Sequence, residues 1–155
     1  MHGRVLSIHV ARSAAGRMES LAEVRAIPGK GLEGDRYFLG EGTFSKPPGT
    51  GREVTLVASE MIEQLEREHG IRLSAGDARR NLVTRGVPLN DLVGKVFQVG
   101  TVRMKGVKLA EPCDHLERLT EPGVTKGLVH RGGLRADLLD EGVLRVGDEI
   151  REAQP

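Results

Sequence analysis

In Lys95-Val96-Phe97-Gln98-Val99-Gly100-Thr101-Val102-Arg103-Met104-Lys105 two short apolar-rich runs flank one glycine, and the second alternates polar and apolar residues. Side chains on an extended strand point to opposite faces with a period of two, so Val102 and Met104 face a core while Arg103 and Lys105 face out. The glycine between the two runs predicts a hairpin or a tight corner. The same period recurs outward along the chain. Leu6, Ile8 and Val10 share one face, with Ser7 and His9 on the other, and Val54-Thr55-Leu56 repeats the pattern. Leu134, Ala136 and Leu138 alternate too. Val143 to Ile150 follows the turn Asp140-Glu141-Gly142, which predicts a second hairpin formed by the last strands.

One helix interrupts the strands. Ser59 is placed to cap it, Met61, Ile62 and Leu65 form its apolar stripe, Glu63 is spaced to pair with Arg67, and Gly70 stops it. A shorter helix is expected from Cys113 to Leu119, where Leu116 and Leu119 share a face. Residues 28 to 52, dense in glycine and proline, read as long loops. The fold class is therefore mainly β with short helices. Without a linker or repeat, residues 1–155 form a single domain.

The chain has 155 residues, enough to bury roughly 70% of the surface its unfolded form exposes. Its hydrophobic fraction of 38% and charged fraction of 29% are those of an ordinary globular protein. A net charge of +1 leaves no global field to hold a polyanion, and 3% aromatic residues with no Trp offer no stacking platform, so a nucleic-acid partner is not expected. No apolar run reaches membrane-spanning length and the start lacks a signal-peptide pattern, so a cytoplasmic protein with no membrane partner is expected. With a single cysteine there is no internal disulfide.

That cysteine stands in Glu111-Pro112-Cys113-Asp114-His115-Leu116. A thiol in a first helical turn meets unpaired N–H groups and the positive end of the peptide dipoles, which favour thiolate. Thiolate is the form that binds soft metals or carries sulfur. Free cysteines also pack as inert small hydrophobes, and both readings are open. Asp114 and Glu117 work against ionisation, because nearby carboxylates raise a thiol's pKa.

Three other groupings carry candidate chemistry. Pro28-Gly29-Lys30-Gly31-Leu32-Glu33-Gly34-Asp35-Arg36 is not a P-loop, since no Ser or Thr follows the lysine and no helix opens there. It is either a plain turn or an anion pocket lined by backbone N–H groups and by Lys30 or Arg36, with Asp35 orienting the cation. Arg79-Arg80-Asn81 precedes an apolar run and places two guanidinium groups at a strand mouth, as an anion clamp or as surface ion pairs. His130-Arg131-Gly132-Gly133 puts an imidazole and a guanidinium beside two permissive residues at the start of a strand, where a ligand could approach closely. Cys113, His115 and His130 could also bind zinc in a hydrolytic site, although their spacing is unlike that of zinc ribbons or fingers.

Taken in order, several of these pieces resemble the MOSC family, named after the C-terminal domain of molybdenum cofactor sulfurase. The carriers are Gly31-Leu32-Glu33-Gly34-Asp35-Arg36, Arg80-Asn81-Leu82-Val83-Thr84-Arg85-Gly86-Val87, Leu92-Val93-Gly94-Lys95-Val96-Phe97-Gln98-Val99-Gly100, Glu111-Pro112-Cys113, His130-Arg131-Gly132-Gly133-Leu134-Arg135-Ala136 and Val146-Gly147-Asp148 with Ile150. The resemblance spans nearly the whole chain and is closest to small stand-alone members. It implies a MOSC-type β-barrel, like that of pyruvate kinase, with the cysteine in a basic cleft. It also implies association with the molybdenum cofactor (molybdopterin), and the family is further associated with pyridoxal phosphate.

Two enzymatic roles follow from the resemblance. Cys113 ligates molybdenum in a reductase acting on N-hydroxylated compounds, or it carries sulfur as a persulfide in a sulfur transferase. Lys30, Asp35, Arg36, Arg80, Asn81 and Arg131 would line the cofactor site, with Asn81 reading an edge of the pterin. His115 or His130 would donate a proton or keep the thiol ionised. A cysteine desulfurase or a redox protein is the implied partner. The alternatives are a cofactor-free persulfide carrier and a non-catalytic module that holds a small anionic ligand or the cofactor.

Overall fold

A computed structural model describes residues 2–12, 17–35, 53–72, 79–110 and 132–153. In chain order its strands are β1 (Gly3–Val10), β2 (Glu19–Leu21), β3 (Glu23–Ile27), β4 (Gly31–Leu32) and β5 (Val54–Ala58). Helix α1 (Ser59–His69) follows, then β6 (Leu82–Arg85), a 3-10 turn at Leu89–Leu92, β7 (Val96–Val99), β8 (Val102–Leu109), β9 (Leu134–Leu138), β10 (Gly142–Arg145) and β11 (Glu149–Glu152). The alternation around Gly100 does form a hairpin. β7 and β8 pair antiparallel from Val99↔Val102 to Val96↔Lys105, with Val102 and Met104 buried and Arg103 and Lys105 exposed.

Hydrogen-bonded neighbours run β11-β7-β8-β9-β5-β6-β1, and β11 also pairs with β1, closing a seven-stranded barrel. β2 hangs from the outer edge of β1, and β10, β3 and β4 form a separate three-stranded sheet. Val54, Leu56, Leu82, Phe97, Met104, Leu134 and Ile150, each fully buried, belong to one core that also takes Ala26, Leu32 and Leu144 from the smaller sheet. The two sheets therefore make one hydrophobic unit.

β5 and β6 run parallel, so the chain must cross between them, and α1 lies within that crossover. Ile62 packs on Val57 and Val83 outside the barrel. Every residue of β5 is buried: Val54, Leu56 and Ala58 in the barrel core, Val57 against Ile62, and Thr55, where the sequence pattern suggested a wet face, in its bonds to Asn81. The helix boundaries match the sequence, but its polar contacts do not. Ala58 is the N-cap and makes no side-chain capping bond, whereas Ser59 sits in the first turn with its hydroxyl on Glu60. Glu63 binds Arg85 of β6 at 2.8 Å instead of Arg67, tying helix to sheet. Gly70 does end the helix, in the left-handed conformation at φ 67°, donating its N–H to Glu66 O.

Two strand expectations are corrected. Against β6, the register of β1 shifts between Val5 and Ser7, and this bulge turns Leu6 outward, 39% exposed, while Val5 takes the core position. Nor do the last strands form a hairpin: across Asp140-Glu141-Gly142, β9 pairs with β5 and β8 and not with β10. β10 pairs with β3 and β11 with β7 and β1, because the turn at Val146-Gly147 carries the chain from the small sheet back to the barrel.

Candidate functional site

β8 and β9 form an antiparallel ladder whose last rung is Leu109↔Leu134, continued by a bond from Ala110 N to Gly133 O of 2.8 Å. The residues between, 111–131, include Cys113, His115, His130 and Arg131. They lie outside the described residues, as do Arg36 and the helix expected from Cys113 to Leu119. What the structure describes is the neck from which that segment leaves the barrel. Gly133 has φ 113°, and a Cβ there would stand 1.9 Å from Leu56 O, so the backbone of β5 fills the close approach that the sequence suggested for a ligand.

Arg80 spans the neck. Its Nε donates to Gly132 O at 2.8 Å and its Nη2 to Ala110 O at 2.9 Å, one carbonyl on each side. The residue is 8% exposed. Arg79, immediately before it, has a positive φ of 56°, rare for a side chain of that size. Arg80 thus departs from the exterior ion-pair alternative, being turned inward onto backbone oxygens.

Asn81 is fully buried and holds the strands on either side of β6. Its Oδ1 accepts from Thr55 N at 3.0 Å and Thr55 Oγ1 at 3.2 Å, and its Nδ2 donates to His9 O at 3.0 Å. Its backbone N donates to Thr55 Oγ1, and its carbonyl accepts from His9 N at 2.7 Å. Two residues farther along β1, Ala11 N donates to Oδ1 of the buried Asp35 at 3.0 Å. Asp35 and Asn81 are therefore linked through the end of β1. His9 is buried beside them with a ring nitrogen 2.8 Å from Ser7 Oγ, and burial lowers its pKa.

The glycine-rich stretch contains two turns. Lys30 N bonds to Ile27 O with Pro28 and Gly29 (φ 82°) between, and Asp35 N bonds to Leu32 O around Gly34 (φ 86°). Glycine at the third position with positive φ is the requirement of a type II turn. Glu33 N goes to Arg25 O, and Gly29 N goes to Oε1 of Glu53 at 2.6 Å. These N–H groups point to protein acceptors, which favours the plain-turn alternative, and the Lys30 side chain is exposed.

Glu53 did not stand out in the sequence. Its pKa is pushed up to about 7, by burial first and then by a hydrogen bond and repulsion from Asp137, against the N–H groups of Gly29 and Leu138. The two carboxyls are far apart in sequence and meet only because β5 pairs with β9.

Residues 32–151 match the MOSC domain. The chain belongs to the MOSC family. YuaD from Bacillus subtilis superposes on this MOSC domain with a TM-score of 0.81 at 16% identity, covering 99% of this chain and 98% of its own. YiiM from Geobacillus stearothermophilus gives 0.70 at 19% identity over 98% of this chain and 75% of its own, and YiiM from Escherichia coli gives 0.69 at 15% over 98% and 70%. At these identities the likeness is one of fold. No curated protein matches the sequence.

Within the described part of this MOSC domain, no group of three or more His, Cys, Asp or Glu is placed to hold a metal ion. The chain's single thiol, Cys113, falls within the matched span. The segment that leaves the neck offers one thiol, two imidazoles and the Arg131 guanidinium, a donor set that suits a soft metal bearing anionic oxygens.

Proposed function

We propose that this MOSC domain works through the Cys113 thiolate, ligating the metal of a molybdenum cofactor or carrying sulfur. The observation that carries the reading is family membership over residues 32–151, a span that includes the chain's single thiol. When bound, the cofactor supplies a redox-active metal suited to reduction of N-hydroxylated compounds. The chain's own part is to keep one sulfur ionised and surround it with positive charge. Arg131, Arg36 and the exposed Lys30 supply cations for anionic oxygens and phosphate, and His115 or His130 holds or delivers a proton. Asp35, Asn81 and Arg80 contribute by fixing the backbone on which these groups stand, as their bonds to Ala11, Thr55, His9, Ala110 and Gly132 suggest.

Expression in hosts able and unable to make the cofactor, followed by molybdenum and pterin analysis, tests the reading. Molybdenum and pterin in the first host only, lost on Cys113→Ser, is the expected result. Near-zero content in both removes the cofactor role. The sulfur-carrier form is read separately by mass spectrometry after incubation with a cysteine desulfurase and cysteine: one added sulfur on Cys113 supports it. If ligand binding and phenotype survive Cys113→Ser unaltered, the thiol is packing and the protein is a non-catalytic binding module.

A further inference from the structure

Glu53 holds the β3–β4 turn to the barrel through both its main chain and its side chain. The turn's own bond uses Lys30 N–H and Ile27 O, which leaves the Gly29 N–H to donate to Glu53 Oε1 at 2.6 Å. Two residues on, Gly31 (φ 111°) lies against Glu53 O, where an added Cβ would come within 2.7 Å. The same carboxyl also reaches β9. Val54 pairs with Ala136, so the next register position sets Glu53 beside Asp137, and the carboxyl accepts from Leu138 N–H while sharing a hydrogen bond with Asp137. Two carboxyls can share a hydrogen bond only when one of them carries a proton.

Cations stand around the pair as well. Arg135 lies two residues before Asp137 on the same face of β9, opposite Thr55, Lys105 lies opposite Asp137 on β8, and Lys30 belongs to the turn itself. The net effect of the surroundings still favours the neutral acid: burial first, then Asp137, raise the Glu53 pKa to about 7 against the Gly29 and Leu138 N–H groups. A place that binds the proton more tightly than water does must disfavour the carboxylate by the same factor, so an ionised Glu53 gains by leaving it.

We propose that the Glu53 carboxyl is a proton-operated catch between the two sheets: protonated and bonded to Asp137, it holds the β3–β4 turn against the barrel, and ionised it swings to solvent and releases the Gly29 N–H. The proton passes to water as the catch opens and returns from water as it closes. Ala26 and Leu32 keep β3 and β4 anchored in the core in both states, so what loosens is the turn that carries Lys30 and not the sheet. The catch is independent of the proposed use of Cys113.

Amide exchange at Gly29 in the full chain, divided by the intrinsic rate at each pH, reads the catch by NMR between about pH 5.5 and about pH 8.5. Val5 N–H, bonded to Asp148 O at 2.9 Å, is the reference for opening of the barrel. Wild-type protection at Gly29 is expected to fall about tenfold or more across this range, while that of Val5 changes less. In Glu53→Gln the side-chain amide offers an oxygen to Gly29 and an N–H to Asp137 at every pH, so protection at Gly29 should stay flat. Asp137→Asn removes the repulsion, leaves burial alone, and should shrink the fall.

A flat wild-type profile at Gly29, a fall that Val5 shares in full, or a fall in Glu53→Gln as large as in wild type each overturns the proposal. The first is the result if ionisation moves Asp137 alone, toward Lys105, and leaves Glu53 in place. Should Glu53→Gln fail to fold, wild type and Asp137→Asn carry the same readouts.

Discussion

Asn81 does at one position what a stretch of ladder does elsewhere, serving β5 through its Oδ1 and β1 through its Nδ2 from a site with no solvent exposure. Asn81→Ala would leave Thr55 N–H and His9 C=O without these partners, so a loss of about 2–4 kcal/mol is expected in urea unfolding. Asn81→Asp should cost no less, because an acceptor would then face the His9 carbonyl. Glu53 sets a pH dependence. With its folded pKa raised from 4.5 to about 7, the folded state binds more protons than the unfolded state in between, and stability falls as pH rises through that window. Glu53→Gln should therefore flatten the decline in melting temperature measured between about pH 5 and about pH 8. His9 acts in the opposite sense. Its lowered pKa contributes stability that is full above 6.5 and is lost as pH falls from there through the folded value.

At the scale of elements, α1 separates packing from surface charge. Leu65 is fully buried, and Leu65→Ala should cost about 2–5 kcal/mol in urea unfolding. The Glu63–Arg85 pair is half exposed on both sides, and Glu63→Gln should cost under about 1 kcal/mol. These elements also mark where sequence reading succeeds. The β7–β8 hairpin was legible because alternation and a glycine turn are local. Helix α1 was legible from its apolar stripe and Gly70, while its real polar partner, Arg85, lies on a strand that only the crossover brings near. The phase of β1 was misread because one bulged residue exchanges Leu6 for Val5, and nothing local announces a bulge. Arg79 and Arg80 stood out as a pair at a strand mouth, but the hydrogen-bond partners of Arg80 and Asn81 are 26 to 72 residues distant, so no spacing rule could have named them.

Across the whole molecule, closure depends on β11. Ile150 pairs with Val99 on one side and Gly3 on the other and is fully buried in the core. Deleting Glu149–Pro155 strips both β1 and β7 of a neighbour, and loss of the cooperative thermal transition is expected by calorimetry. The barrel itself was expected from family resemblance more than from periodicity, since alternating strands alone do not say whether a sheet closes. Among the described residues no helix is long and apolar enough to cross a membrane. The balanced charge directs attention to local clusters of arginine over any field of the whole protein.

The Gly3↔Ile150 pairing also has a consequence during synthesis. A ribosome makes β1 long before β11, the strand that pairs with its first residues. Until then β1 and β7 each present an unfilled hydrogen-bonding edge, the kind of surface on which nascent sheets stick to one another. A chaperone that shields such edges would therefore matter most until β11 has been made.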